Sequence, residues 1–224
     1  MRYFALTAFF VLLISCQKEH STTPMTQENR IWFEGNPWSE GHPLKEFQWS
    51  AEIRDGVVWF HLHLETANYY SEREIDDPEP TEHDSDWEAP IVWGNYHSCT
   101  ISSTNWHRGG FRVCPIDEFS LDFLDGYVAT IDSLPIDTSE DWDWEDLAFH
   151  TYLLGHDSVA GHKIRFERRT GTNKFDIYWE GKIALVYAGD NEYRYNFKAQ
   201  IFNVSSPTPI KAEQDGAPNP LLDE

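Results

Sequence analysis

Residues 57–65, "VVWFHLHLE", alternate without a break. Val58, Phe60, Leu62 and Leu64 fall on one face, and Trp59, His61, His63 and Glu65 on the other. A period of two predicts a strand with an aliphatic face on a core. "FQWSAEI" at 47–53 is its expected partner, and Arg54-Asp55-Gly56 supplies the turn; Asp-Gly is a strong hairpin signal. Residues 163–203 repeat the pattern as an antiparallel meander. "KIRFERR" runs to the turn Thr170-Gly171-Thr172-Asn173, and "KFDIYWEGKIALVYA" follows, with Gly181 marking a bulge or bend. Gly189-Asp190-Asn191 turns the chain again. "YRYNFKAQIF" then sets Tyr193, Tyr195, Phe197, Ala199 and Ile201 on one face and Arg194, Asn196, Lys198 and Gln200 on the other.

Between these blocks the pattern changes. Residues 72–88 hold nine acids, two prolines and no aliphatic residue but Ile75, which predicts a solvated loop. "DTSEDWDWEDLAFHTYLLG" predicts the one helix, capped by Thr138 or Ser139 and ended by Gly155. Its "DWDWED" lacks the spacing and glycine of a calcium loop. Residues 205–224 carry four prolines and little apolar surface, and are expected to be a disordered tail. Many short strands with turn punctuation predict a mostly β fold, an antiparallel sandwich or barrel with one short helix. The expected organisation is a leader over 1–15, a flexible tether over 16–29, one β-rich domain over 30–204 and the tail.

The leader has its own pattern. Arg2 precedes an apolar run from Tyr3 to Ile14, broken only by Thr7. That is shorter than the roughly 20 residues a membrane span takes and has the length of a secretory signal core. Leu13-Ile14-Ser15-Cys16 resembles the lipobox of bacterial lipoproteins. The resemblance covers only about the first 20 residues. It implies that Cys16 is diacylated and becomes the first residue, and that the membrane is a partner through that lipid. Gln17, in place of Asp, points to the outer membrane of the cell envelope. Residues 17–29 have almost no large apolar side chains, as a tether requires.

Composition narrows the function classes. The formal charge is −21, and it moves to −22 when residues 1–15, which hold Arg2 and no acid, are removed. Nucleic-acid binding through a basic patch is excluded as an expectation; a neutral ligand or a basic protein is compatible. Ten Trp, ten Tyr and fourteen Phe suit a β core and also sugar platforms. Cys99 and Cys114 are an even pair in an exported chain and are expected to form a disulfide. It would close a loop worth roughly 3 kcal/mol.

Three constellations carry candidate chemistry. Residues 93–111 gather Trp93, Tyr96, Trp106 and Arg108, with Asn95, Asn105 and His97, on the segment the disulfide would pin. Aromatic faces stack on sugar C–H surfaces and Arg binds hydroxyls, so this is the expected ligand surface. His61 and His63 point the same way about 7 Å apart on their strand. They are the candidate metal ligands, Glu65 continues the row, and His97 or His107 would supply a third ligand. The competing reading is the polar face of an amphipathic strand, and no resident cofactor is expected. No nucleophile elbow and no phosphate loop occurs, so no catalytic residue is assigned. A carboxylate pair of glycosidase type cannot be singled out among so many acids. The leading expectation is a non-enzymatic binding lipoprotein, with a glycan as ligand. The alternatives are an inhibitor or immunity-type protein that binds a basic envelope protein, and a metal-dependent hydrolase on His61 and His63.

Overall fold

The structure is a computed structural model, and it describes residues 27–36, 38–68, 93, 96–107, 109–136 and 143–211. Cys16, the rest of the expected tether before residue 27 and the acidic segment 72–88 lie outside the described residues.

The described residues form eleven strands: β1 Arg30–Phe33, β2 His42–Arg54, β3 Val57–Thr66, β4 Thr100–Ser102, β5 Phe111–Pro115, β6 Val128–Ile131, β7 His150–Tyr152, β8 His156–Arg168, β9 Lys174–Ala184, β10 Tyr195–Ser205 and β11 Ile210–Lys211. Eight of them close a ring in chain order, β1-β2-β3-β4-β7-β8-β9-β10 and back to β1. Every neighbour in that ring is antiparallel. The fold is therefore an up-and-down barrel with three extra strands, and closure removes the open sheet edge. The long strands carry the extras. β3 gives one edge to β4 at residues 63–65 and to β5 at 57–60. β8 pairs with β7 at one end and β6 at the other, and β11 joins β2 in parallel.

Both sequence-predicted blocks form, although β9 stops at Ala184 and the expected end of its strand, Val186–Ala188, is a 3-10 turn. Asp55 and Gly56 have φ of 49° and 76°, the two left-handed residues of a type I′ hairpin turn, which matches the twist of the strands. From that turn β2 and β3 pair in register to Glu46↔Glu65. Bulky side chains from β3, β8, β9 and β10 fill the barrel, among them Phe60, Phe166, Trp179 and Ile201, all fully buried. The irregularity expected at Gly181 lies opposite it, in β8. There Ala160 faces Lys182 while Lys163 faces Glu180, which leaves one extra residue at Gly161–His162. Gly181 itself must lack a side chain, because a Cβ there would come within 2.6 Å of the Phe197 ring and 2.8 Å of the His162 ring.

Three expectations are corrected. The helix predicted from residue 138 does not occur over its described residues: Trp144–Asp146 is a 3-10 turn and His150–Tyr152 is β7. Leu147, Phe149, Thr151 and Leu153 are all buried, and β7 links β4 to β8. The one α-helix among the described residues is α1, Leu121–Leu124, where the Ser120 hydroxyl accepts from the Phe123 N–H. Four residues are too few to show a helical period.

Cys99 and Cys114 are free thiols, both buried. Cys114 pairs with Val58 at one end of β3. Cys99 exchanges bonds with Thr66 at the other end. Eight residues of strand span about 26 Å, and a disulfide needs Cα atoms within about 7 Å. Finally, the tail is attached to the sheet as far as Lys211 through β11; residues 212–224 lie outside the described residues.

Candidate functional site

The segment from Trp93 does not present a ligand platform. Trp93 and Tyr96 are fully buried. Trp93 meets Phe33 at 5.8 Å and Tyr96 at 5.3 Å between centroids, and Tyr96 meets His42 at 5.0 Å. The Tyr96 hydroxyl also hydrogen-bonds Thr66 Oγ1 at 3.3 Å. These two rings complete the core at the end of the barrel where β1, β2 and β3 meet. Trp106 is half-buried elsewhere, edge-on to His150 at 4.7 Å. Arg108 lies outside the described residues. Trp93, Tyr96 and Trp106 therefore do not share one surface.

An aromatic cleft does form, at the other end of the same aromatic cluster. Trp38 is partly buried against Trp93 and Tyr96, at 5.6 and 6.2 Å, and it also lines a cleft of about 540 Å³ with Trp32, Glu34, Asn196, Glu180 and Lys198. The cross-strand register explains the lining. Trp32 of β1 faces Lys198 of β10, and Lys198 faces Glu180 of β9. All lie on the outward face, since Phe33, Phe197 and Trp179 beside them point inward and are buried. Lys198 Nζ sits 5.6 Å from the Trp32 centroid, and Asn196 Nδ2 donates to Glu34 Oε2 at 2.7 Å. Gly41 holds the Trp32 ring in place: its φ is +72°, and a Cβ there would fall 2.5 Å from the indole. Behind the cleft, His42 is fully buried, and burial, aided by the Arg30 charge, pushes its pKa down to about 4. Its Nε2 lies 3.2 Å from Asn36 Nδ2, so the ring accepts there and steadies the loop. Indole faces flanked by amide, carboxylate and ammonium groups suit a neutral polyhydroxyl ligand. Sequence reading missed this cleft, although "RIWFEGNPW" at 30–38 has two Trp within seven residues.

The expected metal pair divides. His61 Nε2 lies 3.1 Å from Glu52 Oε1 and 3.2 Å from Arg54 Nη2, in a row of charges completed by the Arg54–Glu52 contact and by Arg54 over Trp59 at 5.0 Å. His63 faces the other way along the strand, toward Glu46 and Glu65. One donor atom from each of these three lies within 4.8 Å of the other two. This is the one such cluster of three among the described residues. Burial lowers the His63 pKa, against the raising influence of Glu46 and Glu65. Lys45 Nζ pairs with Glu65 Oε1 at 3.1 Å, and Gln48 bonds Glu46. His97 and His107 are exposed and take no part. Glu46 was legible in principle: counting outward from the Asp55-Gly56 turn sets it opposite Glu65 and two pairs from His63, on the same face.

Among the described residues no helix is long and apolar enough to cross a membrane. No protein-family model matches the chain, and no curated protein and no solved structure was found that matches it.

Proposed function

We propose that this protein is a non-enzymatic binding lipoprotein of the bacterial envelope, held at the outer membrane by lipid on Cys16, and that it binds a neutral glycan in the cleft over Trp32. One observation carries the ligand class: the cleft of about 540 Å³ brings Trp32 and Trp38 together with Glu34, Asn196, Glu180 and Lys198. Stacking on indole supplies affinity that a formal charge of −21 does not oppose. The anchor rests on the resemblance of Leu13-Ile14-Ser15-Cys16 to a lipobox.

Two measurements test this reading. The first is titration of the full chain with a panel of neutral oligosaccharides, followed by tryptophan fluorescence at low and high salt. Binding is expected to be insensitive to salt and at least about tenfold weaker in Trp32→Ala, the scale of one lost aromatic contact. Association only with basic proteins, steeply weakened by salt and unchanged in Trp32→Ala, would replace this reading with the inhibitor type. The second is radiolabelled palmitate fed to expressing cells. Label is expected on the wild-type chain and absent from Cys16→Ser, which should leave the membrane fraction. A wild-type chain without label ends the lipoprotein reading.

A further inference from the structure

We propose that Glu46, His63 and Glu65 form a site for one divalent transition-metal cation, with zinc as the reference ion, on the outer face of the β2–β3 hairpin. The site is separate from the glycan cleft, so success or failure at one says nothing of the other.

His63 supplies the first argument. Its residue is 5% exposed, yet its Nδ1 is buried with no hydrogen-bond partner. A buried polar nitrogen left unpaired is costly, and a bound ion is one of the ways in which a native fold satisfies such a group. The second argument is charge. Glu46 and Glu65 stand directly opposite across the hairpin, an arrangement that destabilises a sheet when both carry the same sign. The ion pair at this cluster is with Lys45, an ammonium whose side chain is 59% exposed. Exposed pairs of that kind contribute roughly 1 kcal/mol or less, so Lys45 is readily displaced from Glu65. A divalent cation neutralises both carboxylates at once.

The third argument is the donor set and its spacing. One imidazole with two carboxylates suits borderline first-row cations, whereas hard cations take oxygen alone and soft ones take sulfur. Metal–ligand bonds near 2.0–2.2 Å set donors about 3.4 Å apart in a tetrahedron. The three donors lie within 4.8 Å of one another, so small rotations about the terminal glutamate bonds close the site. Paired strands fix all three Cα positions, which leaves little ordering to be done on binding. Three protein ligands leave a coordination position open to water or substrate.

The test uses the full chain, purified in detergent and stripped with a chelator, then titrated with zinc chloride by calorimetry and by thermal denaturation. One equivalent is expected to bind and to raise the melting temperature. Glu46→Gln and His63→Gln should each weaken binding at least tenfold. Glu46 is half-exposed, so its variant should fold, and an unchanged circular dichroism spectrum checks that. Lys45→Met should tighten binding by removing the competing ammonium. A variant carrying His150→Ala and His156→Ala, whose ring nitrogens lie 3.4 Å apart two strands from His63, across β4, should bind as wild type. The proposal is overturned if wild-type protein takes up no zinc, if Glu46→Gln binds as tightly as wild type, or if binding is lost in the His150 and His156 variant.

Discussion

On β3, Val58, Phe60, Leu62 and Leu64 face inward and are fully buried, while Trp59, His61, His63 and Glu65 face outward into charge. The contrast is sharpest between two buried histidines. His162 lies inside the barrel wall, where Trp179 Nε1 donates to its Nδ1 at 3.1 Å and Phe149 lies 4.8 Å away. Its proton is therefore on Nε2, which faces Asp132 at 3.9 Å, too far for a hydrogen bond. His63 lies on the outer side among carboxylates. Each histidine has one nitrogen without a partner. Inside, aromatic packing holds the ring and no cation can reach it. Outside, the imidazole has one ring nitrogen within 4.8 Å of two carboxylates. Side of the wall, more than residue type, decides whether a polar group serves packing or recognition.

The largest effect that sharpens this contrast is expected on the inside. Trp179→Ala should cost about 3–5 kcal/mol. It removes a fully buried indole that meets Phe149 at 4.7 Å, and it leaves His162 Nδ1 without a donor. Trp59→Ala, on the outer face under Arg54, should cost about 1 kcal/mol, the scale of an exposed cation–π contact. Urea unfolding of both variants measures the difference. Equal losses would mean that the outer face is as tightly built as the core.

How far the molecule was legible follows the same division. The hairpin to Glu65 and the meander of β8, β9 and β10 were readable because each strand has ten or more residues and alternates against a solvated face. The strands β4 and β7 have three residues each, too few to show a period, and they are named only by their partners. Trp93 and Tyr96 looked like a platform because their neighbours are polar. Their burial comes from Phe33, Trp38 and His42, about 50 to 60 positions away in sequence. The cysteine pair misled for a related reason. Spacing along the chain is short, but the hairpin partners set the thiols at opposite ends of β3. His63 was singled out from its own strand, and Glu46 required the register as well.

A smaller net effect is expected from pH, since the buried groups oppose one another. His162, fully buried, has its pKa pushed down to about 3, and His42 to about 4, by loss of hydration. Their unfolded values are 6.5, so they contribute stability above that pH and lose it as the pH falls toward 4. Asp132 acts the other way. Burial raises it from 3.8 to about 6, so its contribution is full below 3.8 and is lost as the pH rises through 6. The two histidines together outweigh it, and melting temperature should fall from pH 7 to pH 4. Asp132→Asn removes the opposing group, so the variant should be more stable than wild type at pH 7 and lose stability more steeply toward acid. A wild-type profile that is flat or rises toward pH 4 would contradict the burial of His42 and His162.

The smallest expected effect is that of a reductant. If Cys99 and Cys114 were bridged, dithiothreitol would remove a cross-link worth roughly 3 kcal/mol and lower the melting temperature by several degrees. As free thiols they have nothing to lose, and the melting temperature should not move. Burial pushes both thiols up from their ordinary value, Cys99 the further of the two, so neither supplies the thiolate that alkylation needs. Cys99 lies within the core cluster, and its sulfur is 4.0 Å from Thr151 Oγ1. Cys114 is 4% exposed, near the acids Asp117 and Glu118 that raise it. Iodoacetamide should therefore label neither residue in the native chain and both after unfolding without reductant. Blocked cysteines in the unfolded, unreduced protein, with a Cys99–Cys114 peptide in the digest, would require the two ends of β3 to approach by about 20 Å. That outcome would undo the barrel register itself, because the pairings of β4 and β5 with β3 hold the thiols apart.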